Sequence, residues 1–182
     1  MIAFYVVFML LTHVWAEETM EETHVHIEDG VVFCDVQSFE QEAYILKVIG
    51  SGSPMTVFWQ FDVLEQRKYW LDKEVARVRL GRQVIPDLVT QRWLLRDLSG
   101  GVIKHTNDAH EAMHFLTNMR HIAVVDVSVL EPSNTYTLDV HLFIYEGEGE
   151  HESWLSLFSN AGFDMGSVPL HIDATKQQRI DE

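Results

Sequence analysis

The chain has 182 residues, of which 47% are hydrophobic, and this length suits one globular core and is short for two. Asp and Glu outnumber Lys and Arg by 28 to 13, which gives a formal net charge of -15 at pH 7. Such a charge repels nucleic acid phosphates and anionic lipid surfaces, so the composition argues against nucleic acid as a partner. It is compatible with a basic protein surface as a partner, or with weak cation binding.

The first sixteen residues, MIAFYVVFMLLTHVWA, contain no Lys, Arg, Asp or Glu, and two glutamates follow them directly. The apolar run over residues 2–11 and the small residue Ala16 are typical of a signal peptide that is cleaved after Ala16. A membrane-spanning helix needs about 20 apolar residues, and His13 interrupts this run earlier. We therefore expect a periplasmic protein without stable membrane insertion after cleavage. The alternative is an inner-membrane anchor formed by an uncleaved N-terminal segment.

A β-hairpin is predicted over residues 23–36. Val25 and Ile27 alternate with polar residues, then Asp29-Gly30 separates them from a second apolar run. Asp-Gly between two β-prone runs is a strong turn signal. Cys34, the only cysteine of the chain, lies in the second run, where its apolar neighbours favour a buried side chain over a reactive thiol.

Two helices are predicted, over residues 38–50 and 107–119. Ser38 followed by Gln41 matches a capping box, and a glycine marks the end of the first helix. In the second segment Asn107 is the predicted N-cap, and the apolar side chains share one face of the helix.

Alternating apolar and polar residues predict strands elsewhere. The alternation is clearest over residues 55–63 and 136–144, and weaker runs cover residues 75–80, 92–98, 102–105 and 122–129. Such strands with two helices among them predict an α+β fold, an antiparallel β-sheet meander with two helices packed on it. The alternative is an immunoglobulin-like β-sandwich, because Leu130-Glu131-Pro132 followed by Tyr136 is similar to a tyrosine corner.

Composition divides the chain into three parts. Residues 1–16 are the predicted signal peptide, and residues 17–158 are a single α+β domain. Residues 159–182 are predicted to be a C-terminal tail, which becomes polar towards its end.

Four stretches in order carry a family resemblance. They are Gly52-Ser53-Pro54 leading into the strand at 55–64, KYWLD at 68–72, LVTQRW at 88–93, and Leu130-Glu131-Pro132 with the strand at 136–143. As an ordered set spanning residues 24–145, they resemble the bacterial domain-of-unknown-function family 4390, small exported proteins of Proteobacteria. Its third stretch reads closer to Leu-Thr-Arg-Gln-Tyr, so residues 91–93 are a variant. The family has no assigned activity, so the resemblance implies an envelope protein and no catalytic residue to carry over.

The segment His110-Glu111-Ala112-Met113-His114 is a literal match to H-E-x-x-H. Two histidines four residues apart on a helix can bind one zinc ion, and the glutamate can act as a general base. A zinc-dependent hydrolase is therefore the alternative function, and zinc is a cofactor only in that case. His121 falls one residue late for the metzincin extension, and the motif's histidines lie beside the apolar stripe of the helix. We therefore expect a structural helix with exposed histidines and predict no catalytic residue.

We interpret the other histidines in these segments as structural residues and not as metal ligands. His24 and His26 project from the same face of the first predicted strand, which we interpret as a solvated face and not as a ligand pair. His105 and Asp108 could extend a metal-binding patch with His110 and His114, but acidic residues there also suit the positive end of a helix.

Trp59, Trp70, Trp93 and Trp154, with Tyr69, could line a groove for a peptide or glycan. The best candidate for an exposed contact is Trp70, because it stands beside charged residues in a predicted turn, and Tyr69 is its neighbour in the candidate binding region. Trp59, in the strongly alternating strand, is predicted to be core. The leading hypothesis is a non-enzymatic periplasmic module that binds another envelope protein through sheet edges or through the Tyr69–Trp70 region.

Overall fold

The computed structural model describes residues 22–147 and 162–170. The helices and strands, in chain order, are β1 Glu22–Glu28, β2 Val31–Gln37, α1 Glu42–Gly50, β3 Met55–Glu65, β4 Lys73–Asp87, β5 Arg92–Asp97, β6 Gly101–Thr106, α2 Ala109–Thr117, β7 Asn118–Asp126, β8 Tyr136–Glu146 and β9 Gly162–Leu170. A 3-10 turn at Val127–Val129 follows β7. The predicted signal peptide lies outside the described residues.

The larger sheet is antiparallel and has the strand order β6-β5-β4-β3-β8-β9. Strand β3 lies near its middle and pairs along its length with β4 and β8. The residues of β3 that the alternation assigned to the core are all fully buried, namely Met55, Val57, Trp59, Phe61 and Val63. The predicted α+β class, with an antiparallel meander and two helices, is therefore confirmed.

A smaller sheet has the order β1-β2-β7. The hairpin of β1 and β2 turns at Asp29 and Gly30, whose φ angles are 48° and 77°. Two successive residues with positive φ match the twist of paired strands, which is why Asp-Gly is favoured there. The hairpin predicted from the sequence is confirmed, and β7 joins it from much later in the chain.

The helices and the smaller sheet pack on one face of the larger sheet. Helix α2 contacts β4, β5, β6 and β7, while β7 contacts β3 and β4. The indole N–H of Trp59 donates a hydrogen bond to the carbonyl oxygen of Leu116 at 2.9 Å. The guanidinium of Arg82 donates to the carbonyl oxygens of Phe115 and Asn118, both at 2.7 Å. The bonds to Phe115 and Leu116 satisfy backbone acceptors in the last turn of α2, which otherwise lack partners inside the helix.

Cys34 is fully buried on the inner face of β2, as predicted. Burial, together with the neighbouring charge of Asp35, raises the pKa of its thiol to about 12. The thiol therefore stays protonated near neutral pH and behaves as a small apolar core side chain.

Both helices are shorter than predicted. Helix α1 begins at Glu42, because Ser38 is buried before it and its backbone N–H donates to the carbonyl oxygen of Thr117 at 3.0 Å. In α2 the N-cap is Asp108 and not Asn107, since the Asp108 carboxylate accepts the N–H of His110 at 2.9 Å. At Ser38 a tertiary hydrogen bond thus takes the place of the predicted capping box.

The tyrosine-corner feature occurs, but the fold is not the immunoglobulin-like alternative. The backbone N–H of Glu131 donates to the hydroxyl oxygen of Tyr136 at 2.9 Å, and the Tyr136 side chain is buried. This bond fixes the turn that enters β8. A local turn of this kind is compatible with several sheet arrangements, so it did not determine the fold class.

Strand β9 lies inside the segment that the sequence assigned to a C-terminal tail. It pairs with β8, placing Leu170 opposite Tyr136 and Phe163 opposite Leu142. Met165 and Leu170 are buried. The apolar side chains change phase within β9, from Phe163 and Met165 to Val168 and Leu170, where the pairing with β8 has a register shift. No single alternation therefore runs through its sequence. The other parts of the predicted tail, residues 159–161 and 171–182, lie outside the described residues.

Candidate functional site

The H-E-x-x-H motif occupies helix α2. Its apolar side chains Ala112, Met113 and Leu116 are buried, while His110 and His114 are exposed. The Glu111 carboxylate accepts hydrogen bonds from the Lys104 ammonium and the Thr106 hydroxyl on β6. Glu111 therefore ties the helix to the edge of the sheet.

A catalytic zinc ion normally has three protein ligands besides a water molecule. Among the side chains that the structure describes, within residues 23–147 and 162–170, no third His, Cys, Asp or Glu ligand atom gathers with those of His110 and His114. The imidazole of His114 lies 3.9 Å from the Glu42 carboxylate on the neighbouring helix. His105 and Asp108 do not complete a metal-binding patch with the two histidines.

The pKa of the Glu111 carboxyl gives a test that distinguishes a structural glutamate from a general base. Hydrogen bonds from Lys104, and then from Thr106, lower the pKa of the Glu111 carboxyl below its ordinary value of 4.5. Because this pKa is lower in the folded chain than in the unfolded chain, the bonds stabilise the fold fully above pH 4.5, and that stabilisation is lost as the pH falls through the folded pKa.

We expect a carboxyl-detected NMR titration to place the Glu111 pKa below 4.5, and Lys104→Ala to move it upwards because its main hydrogen-bond donor is then lost. Lys47→Ala, which removes a lysine from α1, is the control and should leave the value unchanged. A Glu111 pKa at or above 4.5 in the native chain would contradict the structural role and favour a general base.

Within the part of the chain that the structure describes, the most exposed aromatic residues lie in the hairpin loop between β3 and β4, residues 66–72. Tyr69 and Trp70 are each 81% exposed, and Leu71 is 92% exposed. The backbone of the loop is nevertheless held at both ends. The Arg67 N–H donates to the Asp72 carboxylate at 3.1 Å, and the Gln66 N–H donates to the carbonyl oxygen of Thr135 at 2.9 Å.

Charged side chains surround this hairpin loop. The Glu65 carboxylate lies 3.5 Å from the Arg67 guanidinium and 3.6 Å from the Lys73 ammonium. The Lys68 ammonium lies 5.5 Å from the centre of the Tyr69 ring, which is within the range of a cation–π contact. The loop is therefore an ordered apolar tip with both basic and acidic side chains around it.

A second exposed apolar pair, Leu88 and Val89, lies in the turn between β4 and β5. The Asp87 carboxylate accepts the N–H groups of Val89 and Thr90 at 3.0 and 3.2 Å, and the Thr90 hydroxyl at 2.6 Å. These bonds lower the pKa of Asp87, with the Thr90 side chain as the largest cause. This turn stands at the other end of β4 from the hairpin loop and has no aromatic residue.

The face of the larger sheet that points away from the helices carries a polar network. The Asp62 carboxylate accepts the Gln60 amide at 2.7 Å and the Arg77 guanidinium at 2.6 Å. Arg79 donates to the Gln60 amide oxygen at 2.6 Å, and His141 Nε2 lies 3.9 Å from Asp62. Gln60 and Asp62 are buried, and their hydrogen bonds account for this burial of polar groups.

The outer face of the smaller sheet holds a set of side chains whose proximity the sequence did not predict. His26 and Glu28 on β1 and His121 on β7 each offer one metal-ligating atom, and these three atoms lie within 4.8 Å of one another. An open cavity of about 240 Å³ lies on the same sheet, lined by His24, Asp35, Val36, Gln37, Asn118, Met119 and Arg120. The alternation of His24, His26 and Glu28 on one strand face was the available signal, but His121 is too distant in the sequence to have been added to it.

The structure thus defines an α+β domain built on an antiparallel sheet, with an exposed aromatic loop and an exposed histidine cluster. Among the described residues, neither helix has the length and apolar content needed to cross a membrane. The model of a family described as Domain of unknown function (DUF4390) matches residues 17–146, which is more than half of the chain. The chain belongs to this family, as its motifs indicated. No match was found among the curated proteins or among the solved structures.

Proposed function

We propose that this chain is an exported, non-enzymatic module of the cell envelope that binds another envelope protein through its hairpin loop, residues 66–72. Export to the periplasm rests on the N-terminal sequence, whose apolar run and Ala16 are typical of a signal peptide. The binding role rests on the exposure of Tyr69, Trp70 and Leu71 in a loop whose backbone is held by hydrogen bonds.

Other tryptophans of the described chain are placed differently. Trp59 is fully buried, and Trp93 is partly buried, with its indole N–H donating to the carbonyl oxygen of Ile49 at 3.2 Å. Trp70 instead presents nearly its whole side chain to solvent. Tyrosine and tryptophan contribute large contact areas at low entropic cost, and they are enriched among the residues that carry most of an interface's binding energy.

The hairpin loop is favoured over the sheet edge at β6. Within the described residues, β6 is an end strand of the larger sheet, and it carries the exposed side chains of Lys104 and His105. Charged side chains on an edge strand, lysine above all, discourage the addition of a further strand. The partner surface that fits the loop is an apolar pocket for Trp70 with acidic groups that face Lys68.

The zinc-dependent hydrolase is less well supported. Its glutamate is engaged by Lys104 and Thr106, and its two histidines have no third ligand among the described residues. A free general base and a third ligand are both expected of such an enzyme.

Affinity capture from a detergent-free envelope extract tests the binding proposal with the full chain as bait. We expect a specific partner to be recovered by the wild type and lost with Trp70→Ala. With the purified partner, Trp70→Ala is expected to weaken binding by about 2 kcal/mol, or about 30-fold, as for an interface hot spot.

Val89→Ala is the matched control, because Val89 is 93% exposed in the turn at the other end of β4. It should retain the partner. Equal capture by the wild type and by Trp70→Ala would contradict the proposal. If the wild type captured no protein partner but bound phospholipid vesicles, and Trp70→Ala abolished that binding, the loop would instead be assigned to a membrane surface.

A further inference from the structure

We infer that the outer face of the smaller sheet is a binding site for a divalent transition metal ion of the zinc type, with His26, Glu28 and His121 as its ligands. One atom from each of these side chains lies within 4.8 Å of the other two. Two imidazole nitrogens and one carboxylate oxygen form a ligand set that suits zinc. All three side chains are exposed, so a water molecule or a small ligand can take the remaining coordination position.

Strand pairing brings the ligands together. His26 and Glu28 are two residues apart on β1, so they point to the same face of the sheet. Strand β2 lies between β1 and β7, and its Phe33 stands opposite His26. The Phe33 ring stacks on the His121 ring at 4.1 Å between centres and on the His26 ring at 5.7 Å. Phe33 therefore supports both imidazoles from the middle strand and limits their motion.

A bulge in β7 directs His121 towards this face. Cys34 pairs with Ile122 and Val36 pairs with Met119, so the single residue Asp35 stands opposite two residues of β7. One of these two is His121, whose φ of 54° is unusual for a residue other than glycine. Bulges of this kind redirect side chains and are frequent beside functional sites.

The Asp35 carboxylate holds the bulge in place by accepting the backbone N–H of His121 at 2.5 Å. Asp35 also lines the open cavity of about 240 Å³. It is a positioning residue, because its bond is to the backbone and it orients the His121 ring without ligating the ion. The net charge of -15 adds a general attraction for cations.

Isothermal titration of the full chain with zinc chloride tests the site. We expect one zinc ion per chain at the site, and we expect His26→Ala and His121→Asn each to weaken its binding by about 100-fold or more, since each removes one of three ligands. Asparagine is chosen at position 121 because it tolerates the left-handed backbone conformation. Asp35→Asn is expected to weaken binding by about 10-fold through loss of ligand orientation.

His110→Ala and His114→Ala are the matched controls, because they remove exposed histidines from the H-E-x-x-H helix. They should retain the wild-type affinity, and far-UV circular dichroism should show that every variant is folded. Absence of zinc binding by the folded wild type would overturn the inference. Unchanged zinc affinity in His26→Ala and His121→Asn would also overturn it. So would a loss of zinc affinity that occurs only in His110→Ala and His114→Ala.

Discussion

Replacing Trp59 by alanine is expected to lower the free energy of unfolding by about 3–5 kcal/mol, which is typical of a buried aromatic side chain. Trp59 is fully buried in β3, where its ring lies beside that of Phe61 with 6.5 Å between their centres. Alanine would leave a large cavity between the larger sheet and α2. It would also remove the hydrogen bond from the indole to the carbonyl oxygen of Leu116.

Urea unfolding of three variants separates these contributions. Trp59→Phe keeps most of the apolar volume but leaves the Leu116 carbonyl without this donor, so we expect a smaller loss of about 1–3 kcal/mol. Trp70→Ala removes an indole that is 81% exposed and should change stability by less than about 0.5 kcal/mol. A loss at Trp70 as large as that at Trp59 would contradict the assignment of one tryptophan to the core and the other to a binding loop.

Replacing Asp62 by alanine is expected to lower the free energy of unfolding by about 2 kcal/mol, because a buried amide loses its acceptor and an ion pair is broken. The Gln60 amide donates to the Asp62 carboxylate and is buried, so its hydrogen bond cannot readily be replaced by water. The Arg77 side chain is 44% exposed, and solvent compensates part of its loss, which keeps the expected effect below that of a fully buried pair. The hydrogen bond to Asp62 is also the main reason why the pKa of Arg77 is raised.

Asp139→Ala is the matched control for Asp62→Ala. Asp139 stands opposite Asp62 on β8, is only partly buried, and accepts a hydrogen bond from the Ser167 hydroxyl at 2.5 Å. Its removal also relieves the repulsion between two carboxylates on adjacent strands, so the loss of stability should be clearly smaller. If urea unfolding showed the same loss of stability in both variants, the hydrogen-bond network around Asp62 would not be the source of the stability lost in Asp62→Ala.

Local patterns predicted the strands well because the two faces of a strand meet different surroundings. In β3 the core-facing side chains from Met55 to Val63 lie at every second position, and all of them are buried. The Asp29-Gly30 turn was equally predictable, because its positive φ angles depend on the two turn residues themselves. The predicted exposure of Trp70 followed from its charged neighbours in a turn.

The start of the first helix and the existence of the last strand were predicted less well. The start of α1 depends on a hydrogen bond from Ser38 to Thr117, which lies in the other helix. Strand β9 forms by pairing with β8, although its own sequence has only a weak alternation of apolar and polar residues. In both cases the deciding partner is remote in the sequence.

The sequence by itself determined the strand faces, the main hairpin turn, the burial of Cys34 and the exposure of the aromatic loop. Each of these depends on side-chain alternation or on the conformations that neighbouring residues allow. Only the tertiary structure decided that Glu111 is held by Lys104 and Thr106, and that His121 lies beside His26 and Glu28. Those arrangements require strands and helices that pair across long stretches of chain, and strand register with its bulges emerges only when the sheets pack.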